Sequence, residues 1–212
     1  MLDKFSSPST CLILQPSTPT SRYLVVRAGA GKPQLVLAGA FEHNDTESIV
    51  DRASEELASR SVSVNRAVLL MPRGEVEVNS VRLPPATEDE LPELVANMAA
   101  QQVDDTSETN VNDFIVCQEV EDGSHDVLTF TMSQEKLDLW KQRFKKIGVK
   151  LSSVTFGGIG AVSLLNQVSN HPARTSIVVT TTDQDTDLAI VEEGKPVVFR
   201  TCLLYTSDAA DE

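Results

Sequence analysis

The segment Ala28-Gly-Ala-Gly-Lys32 contains the kinds of residue with which a P-loop binds phosphate. In a P-loop, backbone amides surround the phosphate, and a hydroxyl directly after the lysine reaches magnesium. That pattern requires a glycine where Val26 stands and a serine or threonine where Pro33 stands. Because both required residues are absent, we interpret the segment as a hairpin turn between two strands.

Two further segments have spacings that suggest ligand binding. Phe156-Gly-Gly-Ile-Gly160 lies between a predicted strand and a predicted helix, but a dinucleotide fingerprint would need a third glycine where Ser163 stands. We therefore expect these glycines to allow close packing of the helix. Asp183-x-Asp185-x-Asp187 begins like a calcium loop, but Leu188 replaces the required glycine and Gly194 replaces the bidentate glutamate. An acidic turn is the simpler interpretation.

The isolated histidines, cysteines and tryptophan indicate no catalytic or metal-binding group. We expect the histidines to be solvent-exposed in separate loops: His43, His125 and His171. The cysteines are too far apart for a metal knuckle and odd in number for a disulfide framework: Cys11, Cys117 and Cys202. Trp140 shares a helical face with Leu137 and Phe144, which predicts core packing. The sequence therefore predicts neither a catalytic residue nor a metal site.

The composition is that of a soluble, folded protein. The 212 residues include 18 Lys and Arg against 31 Asp and Glu, which gives a formal net charge of −13. Nucleic acid and anionic membrane surfaces repel such a protein, so we exclude both as its main partner. Apolar runs are shorter than the ~20 residues that cross a bilayer, and the first residues lack the apolar core of a signal peptide. These features predict a cytoplasmic protein.

The order of predicted elements indicates an α/β fold. An opening meander of three strands (11–15, 22–28 and 34–40) precedes a helix, a small inserted α/β segment, a strand and a second helix over 157–168. A second meander follows, over 175–182, 187–192 and 196–201. This outline matches the actin-like (ribonuclease H-like) fold, which duplicates a five-stranded α/β unit and binds nucleotide between the halves.

Three blocks of sequence resemble the PilM family of type IV pilus assembly proteins. The first, 68–95, contains a Pro-Arg turn, a strand that leads to Leu-Pro-Pro-Ala, and a helix that begins with the capping box Thr87-x-x-Glu90. The others cover 133–150 and 186–201. The cytoplasmic domain of the type II secretion protein GspL is similar as well. The resemblance implies an actin-like first domain with an inserted subdomain, and a second domain that is only partly present.

Both phosphate loops depart from the pattern of the ATP-binding members. The first strand of the opening hairpin ends at Gln15, and the hairpin has no Asp-x-Gly. In the second loop, Thr180 and Thr182 stand where the family has Asp and Gly. Threonine cannot hold a hydrated cation by charge, and its Cβ crowds the approach of a phosphate. The departures favour a pseudo-ATPase that is not an enzyme and needs no cofactor. A working ATPase that binds ATP and magnesium through atypical loops is one alternative.

The resemblance also implies a partner. In the family, a cytoplasmic peptide of a membrane-spanning protein binds in a groove between the first domain and its inserted subdomain. We expect the anchors of such a groove on the strand over 75–83 and the helix over 88–101: Val76, Val78, Val81, Leu94 and Met98. The expected partners are the cytoplasmic N-terminal peptide of a bitopic inner-membrane protein and a secretion ATPase, so that the membrane is reached only indirectly. An unrelated α/β interaction domain is the other alternative.

These expectations divide the chain into a lead-in (1–9), a first domain (10–83 and 149–172) and an inserted subdomain (84–148). The start of a second domain (173–201) and a tail (202–212) follow. The tail resembles a translated sequencing adapter, so we expect it to be non-native and the chain to be truncated. The last three strands would then expose an apolar face.

Overall fold

The computed structural model describes residues 9–28, 32–43, 45–102, 109–168, 175–182 and 185–203. Within these ranges the chain forms eleven strands, four α-helices and one short 3-10 helix. The strands are β1 (Ser9–Gln15), β2 (Thr20–Ala28), β3 (Gln34–Glu42), β4 (Arg66–Leu70), β5 (Glu77–Leu83), β6 (Asn110–Glu119), β7 (His125–Ser133), β8 (Lys150–Thr155), β9 (Thr175–Thr181), β10 (Asp185–Glu192) and β11 (Lys195–Leu203). The helices are α1 (Ile49–Ser59), α2 (Leu91–Gln102), α3 (Gln134–Lys146) and α4 (Gly157–Val168), and the 3-10 helix is Arg73–Glu75.

Some predicted features fall outside the described residues. They are Gly29 and Gly31, His171, Asp183, most of the lead-in and the tail from 204 onward. The strands on either side of residues 29–31 pair in antiparallel fashion, from Arg27 with Gln34 onward. The interpretation of this segment as the connection of a hairpin is therefore confirmed.

The first of two compact units comprises Met1–Pro72 and Glu135–Phe156. Its sheet has the order β3-β2-β1-β4-β8, in which the predicted opening meander is antiparallel and β4 and β8 run parallel to β1. Leu12, Leu14 and Leu69 on the central strands are completely buried, as expected of strands covered by neighbours on both sides. Helix α1 buries one apolar face, made of Ile49, Val50, Ala53 and Leu57.

Helix α3 confirms the packing predicted for its tryptophan. Trp140 and Phe144 are buried, and the centroids of their rings lie 6.4 Å apart. Gly148 has a φ of 74°, a left-handed conformation that a residue without Cβ adopts at low cost. The helix therefore ends where the sequence places a glycine.

The second unit comprises Arg73–Gln134 and Gly157–Glu212 and contains two three-stranded sheets, β5-β7-β6 and β11-β10-β9. Strand β5, which the sequence analysis placed with the first domain, pairs with β7 from Glu77 opposite Thr131 to Leu83 opposite His125. Helix α2 covers this small sheet over a core of Leu83, Leu91, Val95 and Val127.

The sheet of the second meander has the exposed apolar face that the sequence predicted. Ile177, Val179 and Leu188 are exposed side chains on its two neighbouring strands β9 and β10. Val179 lies directly opposite Leu188 in the ladder, so the two side chains share one face. The other face of β10 carries the buried Ala189 and Val191.

Candidate functional site

The turn between β1 and β2 occupies the position of the first predicted phosphate loop, in the first unit. Gln15 is the last residue of β1 and pairs with Arg22 on β2. Two of the four turn residues are Pro16 and Pro19, which have no backbone N–H. The N–H of Ser17 donates to Ser21 Oγ at 3.3 Å. Three of the four turn residues therefore have no backbone N–H free for a ligand.

The same turn is tied to the end of β3 by His43. The backbone N–H of His43 donates to the Pro19 carbonyl at 3.0 Å. In the side chain, Nε2 lies 2.9 Å from the Ser17 carbonyl and 2.9 Å from Ser21 Oγ, and Nδ1 lies 3.0 Å from the carbonyl oxygen of Asp45. The imidazole therefore contacts the Ser17 carbonyl and the Ser21 hydroxyl, while the backbone N–H of His43 donates to the Pro19 carbonyl.

The prediction that the histidines are solvent-exposed is wrong for His43 and His125, which are both 6% exposed. His43 follows Phe41 at the two-residue spacing of a strand, and both side chains are buried on the same side. His125 begins β7, where its Nε2 lies 3.0 Å from the carbonyl of Ala86. Loop position does not decide exposure, because a hydrogen bond to a backbone carbonyl, as Nε2 of each ring has, allows a polar ring to be buried.

The turn between β9 and β10 contains the second predicted phosphate loop, in the second unit. The N–H of Thr182 donates to the Asp185 carbonyl at 2.8 Å, and the N–H of Asp185 donates to Thr182 Oγ1 at 3.1 Å. The Thr182 hydroxyl in turn donates to Asp185 Oδ1 at 2.7 Å. Thr180 lies two residues before Thr182, on β9, and pairs with Asp187 of β10. Both predicted threonines therefore lie beside carboxylates of β10.

The carboxylate of Asp187 is buried at the start of α4. Its Oδ1 accepts from Thr201 Oγ1 at 2.6 Å, and the carboxylate also accepts the backbone N–H of Gly158. Burial is the largest influence and raises the pKa of Asp187. The charge of Asp185 also raises this pKa, whereas the hydrogen bond from Thr201 and the charge of Arg73 lower it.

Arg73 provides positive charge near this acidic pair. Burial lowers the pKa of the Arg73 guanidinium, and the charges of Asp187 and Asp185 oppose that shift. Its Cζ atom lies 6.0 Å from the centroid of the Phe199 ring. A half-buried cation beside two buried carboxylates reduces the cost of holding those carboxylates in a site of low dielectric constant.

Gly158 is the closest point of contact between α4 and the sheet. A Cβ at this position would collide with the Phe199 ring and would lie 2.9 Å from Asp187 Oδ2. At Gly157 and Gly160 a Cβ would meet nothing within 4 Å. The prediction of close packing for this glycine segment is therefore confirmed, and Gly158 is the residue that requires it.

The interpretation of Asp183-x-Asp185-x-Asp187 as a simple acidic turn does not predict the buried pair Asp185 and Asp187. Asp185 and Asp187 are each 5% exposed and belong to the buried face of β10. That face continues through Ala189 and Val191 at a spacing of two residues. Val191 and Ala189 alternate with exposed residues, and the same two-residue spacing continued towards the N-terminus reaches Asp187 and Asp185. This alternation is the sequence signal that predicts both carboxylates on the buried face.

The residues predicted as partner anchors all lie in the second unit, and three of them pack against one hydrophobic core. Val81, Leu94 and Met98 are half-buried and pack against the core of the small sheet. Val76 is buried, and Val78 is half-buried opposite Phe130 of β7. β5 is the outer strand of its sheet, so Val78 and Val81 lie next to a sheet edge. Whether they bind a partner stays a prediction.

Two negative findings apply to the part of the chain that the structure describes. No group of three or more His, Cys, Asp and Glu side chains there is arranged to hold a metal ion. No helix among the described residues is both long enough and apolar enough to cross a bilayer.

Comparison with known proteins identifies the architecture. No protein-family model matches the chain, and no curated protein matches it. A solved structure of a PilM-PilN type IV pilus biogenesis complex is similar over 92% of this chain and 61% of that chain, with a TM-score of 0.78 and 17% identity. The chain thus spans about three fifths of that neighbour.

Two further solved structures are similar at lower scores. The cytoplasmic domain of EpsL, an inner-membrane component of the type II secretion system of Vibrio cholerae, matches 92% of this chain and 71% of its own length at a TM-score of 0.56 and 11% identity. A Bacteroides thetaiotaomicron protein with an actin-like ATPase fold matches 96% of this chain and 74% of its own length at a TM-score of 0.51 and 10% identity. The chain therefore has the α/β, actin-like fold that its element order predicts.

Proposed function

We propose that this protein is a non-catalytic scaffold of a type IV pilus or type II secretion platform. In this role it binds the cytoplasmic peptide of an inner-membrane protein and is held at the membrane through that partner. The similarity to a PilM-PilN pilus biogenesis complex and to the cytoplasmic domain of EpsL supports this proposal. The resemblance of the segment 68–95 to the PilM family points in the same direction.

The observation that carries the proposal is the internal hydrogen bonding of the two hairpin turns. Proteins bind phosphate largely through free backbone N–H groups in turns and at helix N-termini. In the first turn, Pro16 and Pro19 have no N–H, and that of Ser17 donates to Ser21. In the second turn, the N–H groups of Thr182 and Asp185 donate within the turn itself.

The charges of the second turn are also unsuited to a nucleotide. The carboxylate of Asp187 accepts the Gly158 N–H at the start of α4, where the helix dipole would favour an anion. A phosphate at this point would have to displace a carboxylate and tolerate Asp185 beside it. These carboxylates therefore do not fit a bare nucleotide phosphate, which supports a pseudo-ATPase.

The outer edge of the small sheet suits a peptide. An extended segment can add to an exposed strand through backbone hydrogen bonds, with side chains in pockets between strand and helix. Strand β5 offers such an edge, with the half-buried Val78 and Val81 beside it. Leu94 and Met98 of α2 provide the apolar surface expected next to it.

Isothermal titration tests this function with two ligands. One is a synthetic N-terminal peptide of a PilN protein, the kind of partner present in the similar pilus biogenesis complex, and the other is ATP with magnesium. We expect saturable binding of the peptide and no binding of ATP. Val81→Arg, on the face of β5 that packs with α2, should abolish peptide binding, whereas Leu139→Arg, at an exposed apolar residue of α3 in the first unit, should not. Saturable ATP binding would support the ATPase alternative, and failure of the peptide to bind would favour an unrelated interaction domain.

A further inference from the structure

The segment 136–150, which contains most of α3 and the first residue of β8, is strongly basic in an otherwise acidic chain. Six of the 18 Lys and Arg residues lie in this segment, where Asp138 is the only acidic residue. The segment therefore has a net charge of +5, whereas the whole chain has a net charge of −13. Such an asymmetry indicates a surface that attracts negative charge locally.

One face of α3 combines these charges with an exposed apolar side chain. Lys136, Leu139, Arg143 and Lys146 follow one another at intervals of three and four residues, so they form a single stripe along the helix. Leu139 is 44% exposed. The helix dipole favours cations in the last turn, but it explains neither the exposed leucine nor a lysine in the first turn.

A groove lies beside this stripe, within the first unit. Helix α3 contributes Leu139, Arg143 and Lys146 to its lining, and the start of α1 contributes Glu47 and Asp51. We call this site the α1–α3 groove. Among the residues that the structure describes, no ion pair joins its basic side chains to its acidic ones. Both sets of charges therefore face the groove without neutralising each other directly.

The α1–α3 groove is preformed but small. Arg143 Nη1 donates to the Thr46 carbonyl at 3.1 Å, and its Cζ lies 5.0 Å from the centroid of the buried Trp140 ring, which holds the guanidinium in place. The volume of the groove is about 180 Å³, whereas small-molecule sites usually have about 300–1,000 Å³. The groove therefore suits one anchoring side chain of a protein partner rather than a cofactor.

The charges around the groove favour an acidic protein segment over a membrane or a nucleic acid. An anionic membrane or a nucleic acid presents a broad negative surface, which would also meet Glu47 and Asp51 and the net charge of −13. A single exposed leucine also gives a bilayer little apolar surface to bury. A narrow segment can instead place its carboxylates along α3 and away from α1.

We propose that the α1–α3 groove binds an acidic amphipathic segment of another protein. An apolar side chain of this segment contacts Leu139, and its carboxylates pair with Arg143 and Lys146. Carboxylates that recur at intervals of three and four residues on a helix would match the spacing of the stripe. This interaction goes beyond the proposed peptide binding, because the groove belongs to the first unit and the predicted anchors to the second.

Fluorescence anisotropy of the full chain with two labelled peptides tests the chemistry of the partner. The acidic probe is Glu-Glu-Leu-Ala-Glu-Glu-Leu-Glu-Glu, and the neutral probe has glutamine in place of every glutamate. We expect saturable binding of the acidic probe alone. Its affinity should fall as salt is added, because salt screens the local attraction to α3. If repulsion by the whole acidic chain dominated, added salt would strengthen binding instead.

Three substitutions at exposed positions of α3 test the place of binding. Lys146→Glu and Leu139→Ser should each weaken binding of the acidic probe about tenfold, because each removes one of the contacts that the groove offers. Lys145→Glu is the matched control, since it makes the same charge change at the next residue, which does not line the groove. It should change the affinity by less than about twofold. Circular dichroism of each variant establishes that it is folded.

Several results would overturn the proposal. They are the absence of saturable binding of the acidic probe, equal binding of the neutral probe, and equal losses for Lys145→Glu and Lys146→Glu. Co-sedimentation with vesicles of phosphatidylglycerol and phosphatidylcholine tests a membrane as the occupant, and we expect the chain to stay in the supernatant. Vesicle binding that Lys146→Glu abolishes would assign the groove to a membrane and contradict the acidic segment.

Discussion

Replacing Gly158 with alanine tests the close contact at the start of α4. The added Cβ would collide with the ring of Phe199 and approach Asp187 Oδ2 to 2.9 Å. Phe199 is only 2% exposed, so its ring cannot swing into solvent. Overpacking of this kind costs about 1–3 kcal/mol, against which the better helix propensity of alanine returns at most about 1 kcal/mol. We expect Gly158→Ala to lower the free energy of unfolding by about 1–2 kcal/mol.

Gly160→Ala is the matched control, because it makes the same change two residues further along α4. A Cβ there meets nothing within 4 Å. Alanine should therefore only improve helix propensity and raise the free energy of unfolding by up to about 1 kcal/mol. Urea denaturation followed by far-ultraviolet circular dichroism measures both variants. Equal stability of the two variants would refute the claim that α4 packs against Phe199 and Asp187.

Three further predictions concern titratable groups. Burial raises the pKa of Asp187 above the ordinary value of 3.8, so protonation stabilises the fold and this contribution is lost as the pH rises through the raised pKa. The stability of Asp187→Asn relative to the natural protein should therefore increase from pH 4 to pH 7 in urea melts. The hydrogen bonds from Arg82 lower the pKa of Asp126, so the charged carboxylate stabilises the fold. Asp126→Asn should therefore be less stable than the natural protein at neutral pH, and this difference in stability should shrink as the pH falls below about 3.8. Ellman's reagent should modify only the exposed Cys202 in the folded protein and all three thiols in urea. Cys11 and Cys117 are buried, and burial raises the pKa of both thiols.

Local sequence patterns predicted most of the fold. The two meanders, the helix over 157–168 and the glycine that ends α3 depend on neighbouring residues, and the structure confirms each of them. The pairing of β5 could not be predicted in this way. Its alternating pattern specifies a strand with one buried face, but the partner strand β7 lies about fifty residues further along the chain. Only tertiary structure decides which sheet such a strand joins.

The candidate site was harder to predict than the fold, since burial of polar groups depends on partners that are distant in sequence. The His43 ring is satisfied by the Ser17 carbonyl and the Ser21 hydroxyl, both more than twenty residues earlier, and Asp187 is satisfied by Gly158 and Thr201. Gln15, Thr180 and Thr182 could be identified from sequence as departures from a phosphate loop, because the family resemblance supplied the pattern of that loop. The role of the partner anchors and the domain boundaries stay predictions.

Hydrogen exchange measured by mass spectrometry, with and without an N-terminal peptide of a PilN protein, tests the central claim most directly. If this protein is a peptide-binding scaffold, the peptide should slow amide exchange in β5 and α2, while ATP with magnesium should leave the turns after Gln15 and Thr181 unchanged. Slowed exchange at those two turns on addition of ATP, with no change at β5 and α2 on addition of the peptide, would contradict it.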